Sequence, residues 1–109
     1  MSTPEPGLDR HEWESEMEAL EPELEDSPAE ALGELDGLVE RMLVERGYAV
    51  EEPVASDGTE PEVLAEFRAA RDTTRMIERG EDVGPGDVAA AINAYRAVYD
   101  HLLSERSSP

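Results

Sequence analysis

Glu12, Glu16 and Glu23, with Glu14, Glu18, Glu21, Glu25 and Asp26, crowd the first helical stretch of this chain. Clustered carboxylates supply the hard oxygen donors that Ca²⁺ or Mg²⁺ prefers. A calcium loop also needs an Asp-x-Asp-x-Asp-Gly run, and none is present. The cluster therefore reads first as a solvated charged face, and no metal or other cofactor is expected. Arg68, Arg71, Arg75 and Arg79 make a second stripe further on, beside an apolar face. One reading is a site for a phosphate or an acidic partner. The other is intramolecular, with the arginines pairing with the acids of the first or second helix and setting helix order by charge.

Other chemistry is sparse. His11 and His101 are the only imidazoles, and the residues three before them are Leu8 and Val98. The Glu-x-x-His pairs of a di-iron bundle are thus missing. Asp100 beside His101 points about 100° away on a helix and makes no easy dyad. No Ser, Thr or Cys stands in a nucleophile motif, and Gly84-Pro85-Gly86 is a helix-start turn rather than a phosphate loop. The expectation is a protein without enzymatic activity.

The elements carrying these residues follow from spacing. Leu32, Leu35, Val39 and Met42 recur at three, four and three, widened by Ala31, Leu38 and Leu43. This predicts an amphipathic helix over 27–47, around which the others pack. Ser27 with Glu30 suggests a capping box, Pro28 suits the first helical position, and Gly47 suits the left-handed residue that ends it. Tyr48 is expected to pack back over that end. Gly33 and Gly37 lie off the apolar stripe with Val44. They are either a second close-packing face or tolerated drift.

Upstream, Trp13, Met17, Leu20 and Leu24 predict a helix from about Arg10 to Leu24, with Asp9 and Glu12 as its capping box. Pro22 should kink it. The turn that follows is short enough to force an antiparallel hairpin. Residues 48–58 read as a loop. Thr59 with Glu62 caps a third helix whose stripe is Val63, Phe67, Ala70, Thr74 and Ile77, ending at Gly80. The fourth starts near Pro85 and buries Val88, Ile92, Tyr95, Tyr99 and Leu102. The fold class expected is all-α, an antiparallel three- to four-helix bundle over 9–105. Disordered residues 1–8 and a frayed tail at 106–109 would flank it.

Charge bounds the partners. The 109 residues carry −19, and residues 1–60 hold 19 acids and three arginines. Such a surface repels nucleic-acid phosphate and anionic lipid, so neither nucleic acid nor a membrane is expected as partner. Cysteine is absent, so no disulfide or thiolate metal site forms. No apolar run reaches the roughly 18 residues of a membrane span, and a cytoplasmic location is the default.

The runs Ser27-Pro28-Ala29-Glu30-Ala31-Leu32 to Leu38-Val39-Glu40-Arg41-Met42, and Arg79-Gly80-Glu81-Asp82-Val83 through Asp87-Val88 to Tyr95-Arg96-Ala97-Val98-Tyr99-Asp100-His101-Leu102-Leu103, resemble a helical domain of small uncharacterised actinobacterial proteins. The resemblance spans roughly residues 10–103 and implies the helical fold but no activity. Gly84 and Pro85 stand where that group has Ser or Thr. The function expected is a small acidic interaction or accessory protein that presents a negative helical surface to a basic protein. The alternative is a self-assembling homodimer paired through Gly33 and Gly37. The residues expected to meet a partner are Glu12, Glu16, Glu23, Gly33, Gly37, Arg68, Arg71, Arg75 and Arg79.

Overall fold

The computed structural model describes residues 8–50 and 61–104. Residues 1–7 of the tail expected over 1–8, the end of the chain from 105, residues 51–58 of the expected loop, and Thr59 lie outside them, while Leu8 opens the first helix instead of ending a tail. The described residues form four helices: α1 (Leu8–Asp26), α2 (Pro28–Glu45), α3 (Glu62–Glu78) and α4 (Pro85–Ser104). No strand occurs among them. The protein is an all-α bundle, with α2 packed against α1, α3 and α4.

Side-chain pairs give the directions. Arg41 of α2 meets Glu16 of α1, Arg71 of α3 meets Asp36 and Glu40 of α2, and Glu62 and Val63 at the start of α3 lie beside Val98 and His101 near the end of α4, so sequential helices run antiparallel. Helices α2 and α4 run parallel, because Arg46 at the end of α2 reaches the carbonyl of Leu102 near the end of α4. The molecule measures 46 × 39 × 23 Å. Its thin dimension is two helix layers at about 10–12 Å each.

The predicted stripes are the core. Ala31, Leu32, Leu35, Leu38, Val39, Met42 and Leu43 of α2 are all buried. From the flanking helices come Trp13, Met17, Leu24, Phe67, Ala70, Tyr95, Val98 and Leu102. Leu20, Ile77, Ile92 and Leu103 pack against this core while partly exposed. Phe67 and Tyr95 meet edge to face at 6.0 Å, the geometry that aromatic quadrupoles favour. Thr74, on the stripe of α3, is the buried polar residue among them.

Helix ends differ from expectation in instructive ways. The capping box at Ser27 does not form: its side chain makes no cap hydrogen bond. The reason is that α1 continues through Pro22 to Asp26 instead of stopping near Leu24. The Ser27 amide then donates to the carbonyl of Glu23 at 2.7 Å, which leaves no free donor for Glu30. Pro22 is tolerated inside α1 because it lies on the exposed face, where water can satisfy the carbonyl it leaves without an amide. Leu24 beyond it stays buried. Helix α1 also begins at Leu8, so Asp9 falls inside the first turn rather than before it. The residue preceding α3 is Pro61, which has no side chain that can cap.

The C-terminal ends follow the sequence. Gly47 has φ +92° and Gly80 has φ +79°. In both, the next residue's amide reaches back over the turn, Tyr48 to Leu43 and Glu81 to Met76, each at 2.9 Å. This is the Schellman arrangement, and glycine takes its positive φ without a Cβ penalty.

Candidate functional site: the acidic face of the α1–α2 hairpin

The single-residue turn at Ser27 sets α1 against α2 in fixed register. That register opens a shallow groove of about 410 Å³ between them, with Glu16, Glu23, Glu34, Gly37, Leu38 and Arg41 on its walls. At one end Arg41 is bound by Glu16 at 2.7 Å. This partnership raises the guanidinium pKa further. At the other end Glu23 faces Glu34. Its carboxyl is held above the ordinary 4.5, chiefly by a hydrogen bond to Glu34, with partial burial and the negative charge of Glu34 and Glu30 adding to it. A like charge nearby disfavours the ionised form of Glu23.

Around the groove the acids face water. Glu12, Glu18, Glu25, Asp26, Glu30 and Glu34 are exposed. The arginines of this half are turned to the chain itself. Arg10 reaches Glu14 and the carbonyl of Leu103. Arg46 lies over the Trp13 ring at 5.0 Å. The hairpin therefore keeps more negative charge than it neutralises.

The residues expected to meet a partner do not all converge. Glu16, Glu23 and Gly37 line the groove. Glu12 is exposed on α1, and Gly33 is exposed on α2 with Glu78 of α3 its nearest neighbour. A Cβ at Gly37 would meet nothing within 4 Å. Neither glycine is pressed by another helix of this chain. The arginine stripe lies on α3, which packs on α2 and α4. Arg75 and Arg79 are exposed, and Arg79 pairs locally with Glu81 at 2.6 Å. Arg68 is half-buried.

Arg71 enters a cross-helix network. Its guanidinium grips both carboxylate oxygens of Asp36, at 3.0 and 2.7 Å, and Glu40 at 2.9 Å. The Phe67 ring lies 4.6 Å beneath it. The Tyr95 hydroxyl donates to Asp36 at 2.7 Å and shares a 2.7 Å hydrogen bond with Thr74. Burial pushes the Tyr95 hydroxyl well above its ordinary value of 10, and the bond to Asp36 adds to that. The Asp36 bond likewise raises the Arg71 pKa. These contacts tie α2, α3 and α4 together.

Asp36, Glu40 and Tyr95 were not among the expected interaction residues. One signal was available: a tyrosine at a core spacing needs a partner for its hydroxyl. Glu34 and Arg41 were also missed, because their roles depend on the hairpin register. No three or more His, Asp or Glu side chains among the described residues come together as a metal site. No helix among the described residues is long and apolar enough to cross a membrane. No family model, curated protein or solved structure matches the chain.

Proposed function

We propose that this chain is a small acidic interaction protein without catalytic activity, which presents the α1–α2 face to a basic protein partner. The observation that carries the reading is the Glu23–Glu34 pair. Two like-charged side chains face each other across a groove whose arginine, Arg41, is already bound to Glu16. A fold gains nothing from this repulsion, whereas an incoming Arg or Lys relieves it. A nearby cation favours the ionised form of Glu23, whose carboxyl is held above the ordinary 4.5, so affinity should rise as pH rises through that raised value. The wider field of the acidic half steers a basic partner toward this face and adds mostly to the association rate.

A tagged pull-down from native lysate tests the reading, with a Glu23→Gln/Glu30→Gln/Glu34→Gln bait run in parallel. Washes span low to near-molar salt, over which the Debye length shrinks from about 30 Å to about 3 Å. The expected result is a basic protein held by the native bait at low salt, released at high salt and lost from the variant. Recovery of the untagged chain alone, stable to salt, would replace this reading with self-assembly.

A further inference from the structure

A second groove lies at the end of the bundle where α2 and α4 begin. It has a volume of about 330 Å³ and is lined by Pro28 and Ala29 of α2, Val83 of the α3–α4 connection, and Pro85, Val88 and Ile92 of α4. No charged side chain lines it. Its floor is Val88, at 6% exposure, and Ile92 and Val83 are half-buried beside it. The volume falls within the roughly 300–1,000 Å³ of sites that hold ligands.

The rim is acidic. Glu30 lies in the first turn of α2 and Asp87 in that of α4. Asp26 ends α1, and Asp82 precedes Val83 in the chain. All four are exposed. Arg79 and Arg96 each lie four residues along the chain from a lining residue; Glu81 holds the first at 2.6 Å and Glu21 the second at 2.8 Å. The first-turn acids also offset the positive ends of the two parallel helix dipoles. An acidic occupant is thus disfavoured at every side of the groove. A second copy of this chain would set an acidic rim against another acidic surface at −19 per molecule. Both connections at this end, Ser27 and 79–84, are described and leave the groove open.

From this complementarity we infer that the groove docks a basic amphipathic segment of a partner protein. Two or three apolar side chains fill it, while flanking Arg or Lys residues reach Asp26, Glu30, Asp82 and Asp87. This rests on the acidic-interaction reading and adds to it the apolar anchor that fixes where a basic partner sits. Charge alone steers without register; a buried apolar contact supplies the position.

The test uses two short peptides with the same number of lysines. One alternates Leu and Lys at amphipathic helical spacing; in the other every Leu is Ser. Binding is followed by fluorescence polarisation and by methyl NMR of the full chain. The Leu–Lys peptide should bind about tenfold or more tightly than the Ser–Lys peptide and shift the methyl signals of Val83, Val88 and Ile92. Ala89, exposed on the groove wall, provides the variant. Ala89→Glu fills the groove but adds charge of the attracting sign, so loss of the Leu–Lys preference in it comes from the groove. Equal binding of both peptides with those methyls unmoved would overturn the docking site and leave the acidic face standing. Binding of neither peptide would remove both readings. A preference that survives Ala89→Glu, or a wild-type dimer that Ala89→Glu dissociates in sedimentation, would overturn this occupant. The methyl shifts of the native chain decide the matter even if the variant fails to fold.

Discussion

Asp36 of the Arg71 junction and Glu34 of the Glu23 groove lie on the same helix, two residues apart in sequence, and use the same carboxyl chemistry to opposite ends. Asp36 is matched on every side: two contacts from Arg71 and one from Tyr95, in a setting where its side chain is 13% exposed. Glu34 meets another carboxyl in an open groove. Helical geometry places one toward α3 and α4 and the other toward α1 and solvent. A charged residue holds the fold where opposite charge and hydrogen-bond donors converge on it. Where like charges converge, it adds repulsion and no contact that holds the fold.

The largest test of this difference removes the matched carboxylate. Asp36→Ala leaves Arg71 and the Tyr95 hydroxyl without their shared acceptor and should cost about 3 kcal/mol, the low end for breaking a buried pair. Thermal or urea unfolding measures it, and a cost below that of a surface change would break the contrast. Leu35→Ala should cost a similar amount, about 2–5 kcal/mol, because Leu35 is fully buried where α2 meets its neighbours. An unchanged midpoint would displace α2 from the centre of the fold.

Between these extremes lies the half-exposed Glu21–Arg96 pair, at 2.8 and 3.0 Å. The Arg96 hydrogen bond lowers the Glu21 pKa from 4.5. The folded state therefore binds fewer protons there than the unfolded state. The resulting stability is present above pH 4.5 and is lost as pH falls through the lowered value. Exposure limits it to about 0–1 kcal/mol, and Glu21→Gln should flatten that part of a stability–pH curve. The smallest effect expected is a gain. Gly37 is helical, with open space where a Cβ would stand, so Gly37→Ala should stabilise by roughly 0.5–1 kcal/mol. A loss instead would reveal that the groove needs the glycine.

Spacing made α2 legible, since its seven buried residues are those its periodicity predicts. The same logic found the faces of α1, α3 and α4 and the glycine turns at 47 and 80. The Ser27 cap was not legible, because whether its amide is free depends on α1 continuing through Pro22. The two carboxyl environments were equally hidden. Asp36 and Glu34 are both acids beside an apolar stripe, and only the packing of α1 and α3 on α2 tells them apart. Of the arginine stripe, the pairing of Arg71 with α2 matches the intramolecular expectation, while Arg79 pairs within its own turn.

The most direct measurement compares affinity and stability in one variant. Glu23→Gln/Glu30→Gln/Glu34→Gln should keep or raise the neutral-pH unfolding midpoint, because like charges are removed. Its affinity for a short Ser–Lys peptide at low salt should fall severalfold against the native chain. A destabilised variant that binds the peptide as well as the native chain would show that these carboxylates serve the fold and not a partner.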